Sequence, residues 1–308
     1  MTALDERPAA DLAAATLTAY GEHVTEITEP GIFDHLTLEQ YHADMVPGGS
    51  LSSSGARKML QPSCPAKFDY ERRHPQPPTE AMEFGSAVHS IALGNGAEVV
   101  PVDAKSWQGK AAQDERREIR ASGCIPLLEA QFQAANEMCV ALRRHPLAAK
   151  LLDPACGKAE RSLFWRDEKT GVMLRARPDW LPDAIEGERL LVPDIKTIPE
   201  VDPDSIAKSL DKYSYPMQGD FYESGIKALG LAEDVVFLFI FVRKTKPYLI
   251  QVVGVPEIDR MIAAAKNRRA IDLYAQCTAS GQWPVYEPGI AYIDTPGWAQ
   301  TRDAGEYL

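Results

Sequence analysis

Apolar residues change their spacing along this chain of 308 residues. In residues 31–153 they recur at the three- and four-residue intervals of amphipathic helices, whereas residues 158–255 contain the stretches with the period of two or the continuous apolar runs that predict strands. Helical spacing returns in residues 256–308, which we predict to form a long helix and a turn-rich tail. The pattern therefore predicts a single α/β domain over residues 31–308, preceded by an Ala-rich, acidic N-terminal extension, residues 1–30.

One predicted helix of the first part, Glu80 to Leu93, carries a glycine and a histidine on one face. Its apolar stripe includes Phe84 and Val88, and Gly85 and His89 lie one turn apart on the neighbouring row. A histidine beside an apolar stripe is usually a satisfied core residue. Gly85 favours a site instead, because a residue without a side chain lets a ligand approach the helix one turn before the histidine.

The sheet region is predicted to begin with three successive strands: Glu160 to Trp165, Val172 to Arg177, and Leu190 to Thr197. The third strand carries Asp194 and Lys196 two residues apart, so both side chains project from the same face. Asp179 directly follows the second strand. A turn-rich connection, residues 182–189, would let the second and third strands pair antiparallel and bring the two carboxylates together.

Two further stretches complete the pattern. A helix from Pro216 to Leu229 places Gln218 and Tyr222 one turn apart on one face. Residues 106–153 are predicted to be helical, with a break at Gly123 and an interruption at Pro146.

Two carboxylates beside a lysine form a hard-oxygen site for Mg²⁺ or Mn²⁺, with a positive group over the attacking water. A D-x-K pattern by itself is more often a turn-proximal acid and a solvated lysine. The upstream Pro178-Asp179 and the strand context favour the site.

Charge restricts the kind of partner. The chain carries 44 acidic and 33 basic residues, a formal net charge of −11. This argues against a protein that coats DNA non-specifically, since that binding depends mainly on phosphate neutralisation. An enzyme that holds DNA in a local groove remains compatible, because residues 55–75 contain five cations and two acids, a local charge of +3.

The five cysteines are scattered and include no C-x-x-C pair, which predicts neither a disulfide framework nor a zinc site. No apolar run approaches the roughly 20 residues that span a bilayer. The first residues lack the basic and apolar regions of a secretory signal. We therefore expect a cytoplasmic protein without a membrane segment.

The candidate residues form an ordered set: Gly85-x-x-x-His89, Glu160, Pro178-Asp179, Asp194-Ile195-Lys196 and Gln218-x-x-x-Tyr222. Over about residues 30–255 this set resembles the PD-(D/E)xK nuclease superfamily, in particular its RecB-like and exodeoxyribonuclease VIII (RecE-like) phage exonucleases. The resemblance implies a restriction-endonuclease-like α/β fold, with a mixed sheet of about five strands flanked by helices and an N-terminal helical region.

The resemblance also implies roles for matching residues. His89, Asp179 and Asp194 would bind Mg²⁺ or Mn²⁺ together with the backbone carbonyl of Ile195. Lys196 would orient or help deprotonate the attacking water and stabilise the charge that develops on the phosphate.

A second group of residues would act around this centre. The resemblance implies that Gln218 and Tyr222 position the DNA strand and that Glu160 supports the metal or the lysine. From the residues alone, Arg177 and Arg57 are candidates for DNA phosphate contacts. Arg177 is equally compatible with a solvated hairpin charge, and Arg57 with a solvated helix face.

The function implied is a Mg²⁺-dependent exodeoxyribonuclease that degrades linear double-stranded DNA from its ends, expected to run 5′ to 3′. It would leave 3′ single strands for recombination by a phage annealing protein, in the cytoplasm of a bacterial host, and a ring-shaped homo-oligomer is implied as well. We expect no iron–sulfur cluster, because the four-cysteine pattern of some relatives is missing, and no ATP, because no G-x-x-x-x-G-K-[ST] loop is present.

Three alternatives remain open from the sequence. The nearest is a nuclease of the same fold that acts on single-stranded ends or on particular DNA structures. The second is a catalytically silent DNA-binding or scaffold subunit, against which the intact Asp179, Asp194 and Lys196 speak. The third, an acidic phage structural or DNA-mimic protein, fits the charge and leaves the D-x-K and Q-x-x-x-Y patterns unexplained.

Overall fold

The computed structural model describes residues 25–286 and 289–308, which form eleven strands, eleven α-helices and one short 3-10 helix, Pro154–Cys156. The strands are β1 (Gly31–Phe33), β2 (Leu51–Ser52), β3 (Val99–Val102), β4 (Ile125–Leu128), β5 (Gly157–Ala159), β6 (Ser162–Arg166), β7 (Met173–Ala176), β8 (Trp180–Pro182), β9 (Leu190–Ile198), β10 (Val235–Arg243) and β11 (Ile250–Gly254). The helices are α1 (Leu38–Ala43), α2 (Ser53–Lys58), α3 (Pro65–Arg73), α4 (Glu80–Leu93), α5 (Lys110–Ala121), α6 (Glu129–Arg144), α7 (Pro146–Leu151), α8 (Pro203–Lys212), α9 (Tyr215–Ala228), α10 (Glu257–Ser280) and α11 (Gly297–Tyr307).

Local signals set the ends of α4, the helix that flanks β9. The Thr79 hydroxyl accepts a hydrogen bond from the Met82 N–H at 3.3 Å and so caps the first turn. Gly94 follows the last turn with a φ of 64°, a left-handed conformation that costs glycine little. The predicted bounds of this helix, Glu80–Leu93, are confirmed.

Within the described residues the strands form four sheets. The largest has the order β1-β6-β7-β2 and the next has the order β11-β10-β9, while β3 pairs with β4 and β5 with β8. β9 runs parallel to β10, with Asp194 opposite Phe239, and β10 and β11 form an antiparallel hairpin. Parallel and antiparallel strands flanked by helices confirm the predicted α/β class.

β9 lies between two hydrophobic cores. On one face Val192 packs in the cluster that contains Phe221 of α9. On the other face Ile195 packs in the cluster that contains Val88 of α4. Because side chains alternate along a strand, the acid and the lysine of the D-x-K pattern lie on the α9 face.

The predicted antiparallel pairing of the second and third strands is wrong. β7 pairs with β6 and β2, and β9 pairs with β10. The additional strand β8 lies between β7 and β9 in the sequence and pairs with β5. A turn-rich connection shows where a chain reverses, but not which strand it returns to.

Residues 106–153, predicted to be helical, contain the strand β4, which runs parallel to β3. Its four residues, Ile-Pro-Leu-Leu, are too few for periodicity to separate a strand from a helix. The tail predicted to be turn-rich ends in α11. Most of the predicted N-terminal extension, residues 1–24, lies outside the described residues.

No helix in the described ranges combines the length and apolar character needed to cross a membrane.

Candidate active site

The backbone of β9 fixes the position of the first carboxylate. Asp179 lies in the short loop between β7 and β8, and its Oδ2 accepts a hydrogen bond from the Ile195 N–H at 2.8 Å. This hydrogen bond holds the loop against the middle of β9. The sequence therefore brings the two acids together as predicted, although through a backbone contact and not through strand pairing.

His89 of α4 reaches the same point from the opposite face of β9. Its Nδ1 lies 3.3 Å from Asp179 Oδ1, and its Nε2 lies 2.9 Å from the Ile195 carbonyl oxygen. Because a carbonyl only accepts, Nε2 carries a proton in this arrangement. Burial acts to lower the pKa of His89, but the Asp179 carboxylate outweighs it and raises the pKa.

Asp194 is the most buried charged residue of the site, at 1 % exposure. Gln218 Nε2 donates a hydrogen bond to its Oδ1 at 2.8 Å, and the Lys196 ammonium contacts its Oδ2. Burial, with the repulsion of Asp179 added, raises the pKa of Asp194 to about 6. The ionised form of Asp194 is therefore energetically unfavourable in this buried site next to a second carboxylate.

Lys196 is charged in this arrangement. Burial alone would lower the pKa of its ammonium, but Asp194 and Asp179 raise it above the usual value. The ammonium also lies 5.2 Å from the centre of the Tyr215 ring. Lys196 is thus a fixed positive charge, and not a ready proton acceptor, while both carboxylates are ionised.

Glu160 and Arg177 form an ion pair behind the Asp179 loop. Arg177 Nε donates to Glu160 Oε2 at 2.7 Å, and its Nη1 donates to the Leu36 carbonyl at 3.0 Å and to the Ser162 hydroxyl. The Glu160 N–H donates to the Asp179 carbonyl at 3.1 Å. The guanidinium is therefore committed to internal acceptors, and its predicted phosphate contact stays a prediction.

The two residues of the Q-x-x-x-Y pattern also face inward. Gln218 holds Asp194, and the Tyr222 hydroxyl donates to the Arg177 carbonyl at 3.3 Å. Their predicted DNA contacts stay predictions, and the contacts present orient the carboxylates.

Arg57 of α2 lies beside the site. Burial lowers the pKa of its guanidinium, while Tyr222, Tyr215 and Asp194 act to raise it. The guanidinium donates to the Tyr213 carbonyl, and its Nε is buried without a hydrogen-bond partner. Sequence reasoning missed Tyr215, which the Tyr213-Ser214-Tyr215-Pro216 stretch before α9 signals only as an aromatic-rich turn.

The model of a protein family described as a PDDEXK-like domain of unknown function (DUF3799) matches residues 52–296, well over half of the chain. The chain belongs to this family. Every candidate residue from His89 to Tyr222 lies inside the matched range of the PDDEXK-like domain. Family and fold together support a nuclease.

A solved structure shares the fold of this chain. A protein from Eubacterium rectale, provisionally named an exonuclease, is 15% identical with a TM-score of 0.55, and the match covers 88% of this chain and 99% of that one. A phage-related exonuclease from Haemophilus somnus 129PT is 9% identical with a TM-score of 0.30, over 76% of this chain and 96% of that one. A search of curated proteins finds no match.

PDDEXK nucleases generally use divalent metal ions, and the donors present here are of the kind such ions prefer. His89 Nε2 and the Ile195 oxygen are 2.9 Å apart and share a hydrogen bond, so both donors lie at one point of the site. Asp194 Oδ2 is buried, and the Lys196 ammonium contacts it, so this oxygen already meets a positive charge. These features fit a cation.

These potential metal ligands are not arranged around one common position in this structure. No group of three or more His, Cys, Asp or Glu side chains in the described part of the PDDEXK-like domain is placed to hold a metal ion by itself. Lys196 lies on Asp194, and His89 is hydrogen-bonded to Ile195. A divalent ion therefore fits this donor set once Lys196 leaves Asp194 and His89 releases the carbonyl.

Proposed function

We propose that this PDDEXK-like protein is a metal-dependent exodeoxyribonuclease that degrades linear double-stranded DNA from its ends. The observation that carries the proposal is a pair of carboxylates at one strand of a PDDEXK-like fold: the buried Asp194 beside Lys196 on β9, and the partly buried Asp179 held against β9 by the Ile195 N–H. Two repelling carboxylates in a buried site lower their free energy when a cation neutralises them.

Four groups would hold the ion: the side chains of His89, Asp179 and Asp194 and the carbonyl of Ile195. When bound there, a divalent ion lowers the pKa of a bound water and polarises the phosphoryl oxygens. The chain itself supplies the charge of Lys196. In a partly dehydrated site, a fixed ammonium stabilises the negative charge that develops on the phosphate.

Lys196 would have two positions in the reaction cycle. In the resting protein its ammonium contacts Asp194. If another cation neutralised the Asp194 carboxylate, the Lys196 ammonium would be free to face the phosphate and the attacking water. The Tyr215 ring lies 5.2 Å from the ammonium. A cation–π interaction with this ring would stabilise the positive charge while Lys196 moves between the two positions.

The remaining residues keep this centre in place. Gln218 fixes the Asp194 carboxylate, while Glu160, Arg177 and Tyr222 brace the loop that carries Asp179. Preorganised carboxylates need no reorganisation when the substrate arrives, which is one source of rate enhancement.

Several finer features of the proposal rest on the resemblance alone. These are the 5′ to 3′ direction, the 3′ single strands left for recombination, the phage annealing partner and the ring-shaped homo-oligomer. A ring with a basic channel would reconcile DNA binding with the net charge of −11. Mg²⁺ or Mn²⁺ is the expected ion.

The substrate is tested with one DNA sequence presented in several forms. The forms are a linear duplex, the same duplex with blocked 5′ or 3′ ends, a single strand and a covalently closed circle, each with Mg²⁺ or with EDTA. We expect mononucleotide release from the linear duplex with Mg²⁺, its loss when the 5′ ends are blocked, and an intact circle. Cleavage of the circle would indicate a structure-specific endonuclease, and no cleavage of any form with Mg²⁺ or Mn²⁺ would indicate a silent DNA-binding subunit.

A further inference from the structure

An aromatic corner lies at the edge of the candidate site, between α8 and α9. Tyr213 ends α8, Tyr215 begins α9, and Ser214 between them has a φ of 49°. This left-handed conformation is uncommon for a residue with a side chain. It turns the chain so that the two tyrosine rings lie side by side.

The two rings are stacked, with their centres 5.4 Å apart and their planes 29° from parallel. Tyr215 forms the inner ring and faces the Lys196 ammonium at 5.2 Å. Tyr213 forms the outer ring and remains 45 % exposed. The stack thus extends from the solvent to Lys196, the residue that we propose faces the phosphate.

Two cations flank this stack. Arg57 of α2 donates to the Tyr213 carbonyl and so ties the corner to a second helix. The Lys212 ammonium lies 5.2 Å from the centre of the Tyr213 ring. An exposed tyrosine needs no explanation by itself. Here, however, the two rings are stacked on each other, lie between Arg57 and Lys212, and end at Lys196. Surfaces that bind single strands have these features, because aromatic rings stack on bases and basic side chains bind phosphates.

We propose that Tyr213 and Tyr215 form a stacking subsite for an unpaired nucleobase next to the phosphate at Lys196. The proposal rests on the proposed nuclease function and specifies its substrate. Bases inside a duplex have both faces covered by their neighbours, so the subsite requires a frayed or already unpaired strand end. Stacking is tolerant of base identity because every base has a π-face, so the subsite selects unpaired structure and not sequence.

The test measures stacking without cleavage. A duplex that carries 2-aminopurine at an unpaired terminal nucleotide is titrated with protein in Ca²⁺, and gels verify that the DNA stays intact. Wild-type protein should quench the terminal probe and leave a probe paired within the duplex interior unchanged. Tyr213→Ala should abolish the quenching and weaken binding of the unpaired end by about tenfold, while Tyr213→Phe should retain both.

Tyr70→Ala is the matched control. Tyr70 is 62 % exposed and stacks on His74 with centres 4.2 Å apart, as Tyr213 stacks on Tyr215. It lies on α3, which carries none of the site residues, so this variant should behave as wild type. Circular dichroism of each variant verifies the fold.

Two results would overturn the subsite: equal quenching by Tyr213→Ala and wild type, or no quenching by wild type at saturating protein. Failure of the nuclease proposal is separate, because it shows as an absence of Mg²⁺-dependent products from wild type. Quenching without products would keep the subsite and refute the nuclease. Products without quenching would keep the nuclease and refute the subsite.

Discussion

The buried carboxyl of Asp194 should make the stability of the metal-free protein depend on pH. Its side chain is 1 % exposed, and burial together with the Asp179 carboxylate raises its pKa to about 6. In the unfolded chain the pKa is near the ordinary value of about 3.9. Because the folded pKa is the higher one, the stabilisation from protonated Asp194 is fully present below about pH 4 and is lost as the pH rises through about 6.

The size of the effect follows from the two pKa values. They differ by about 2 units at about 1.4 kcal/mol per unit, so the group changes the free energy of unfolding by about 3 kcal/mol in total. About half of this change falls between pH 5 and pH 8. At roughly 2 °C per kcal/mol for a chain of this size, the Tm should fall by roughly 3 °C over that interval.

Thermal unfolding in EDTA at pH 5, 6, 7 and 8, for wild type and Asp194→Asn, isolates this contribution. Asparagine keeps the shape and an acceptor for Gln218 but cannot titrate. The readout is the difference between the two pH profiles, since Lys196 loses its partner in the variant and the absolute Tm changes for that reason too. Added Ca²⁺ should flatten the wild-type profile, because a bound cation favours the ionised carboxylate.

Superimposable pH profiles of wild type and Asp194→Asn would refute this reasoning. They would mean that Asp194 ionises in the folded protein as readily as in water. The charge repulsion invoked for cation binding would then be absent.

Three further outcomes are expected. Lys196→Ala removes the charge and Lys196→Arg keeps it without the compact shape of the ammonium, so both should slow single-turnover cleavage on the order of 10²–10³-fold. A Lys196→Arg rate within about threefold of wild type would leave the lysine without a catalytic role. Tyr222→Phe, which removes the hydrogen bond to the Arg177 carbonyl, should slow cleavage and leave Ca²⁺ affinity by calorimetry unchanged, whereas parallel losses would indicate that Tyr222 holds the ligands together. Glu160→Gln leaves the buried guanidinium without its counter-charge and should lower the free energy of unfolding in urea by about 1–3 kcal/mol; an unchanged unfolding midpoint would show that the ion pair is dispensable.

The elements that carry the site were predictable from the sequence because each has a strong local signal. The short apolar run of residues 190–197 identifies β9, and the two-residue spacing of Asp194 and Lys196 places both on one face. The Thr79 cap and Gly94 identify both ends of α4. Such signals depend only on neighbouring residues, which is why they survive in the folded protein.

Partners distant in sequence were not predictable. Gln218 donates to Asp194 and Tyr222 donates to the Arg177 carbonyl, two contacts that the Q-x-x-x-Y pattern does not indicate and that leave its predicted DNA contacts untested. Arg177 is likewise paired with Glu160. Local patterns place these residues on the right helix and strand but do not say which buried acceptor each will meet.

The prediction that β7 and β9 pair with each other was wrong for the same reason. A short strand such as β8 has too few residues for a period, and its pairing with β5 is decided by packing over the whole sheet. The contact that replaces the predicted pairing, from the Ile195 N–H to Asp179, involves a backbone group and so leaves no trace in the residue pattern.

The most direct test of the account is single-turnover cleavage of an end-labelled linear duplex by wild type and by Asp194→Asn, with Mg²⁺, Mn²⁺ or Ca²⁺ at saturating enzyme. Saturation removes binding from the comparison, and circular dichroism verifies that both proteins are folded. We expect product from wild type with Mg²⁺ or Mn²⁺, none with Ca²⁺, and none from Asp194→Asn with any of the three ions. A folded Asp194→Asn protein that cleaves near the wild-type rate, or a wild-type protein that leaves the duplex intact with both Mg²⁺ and Mn²⁺, would contradict this expectation.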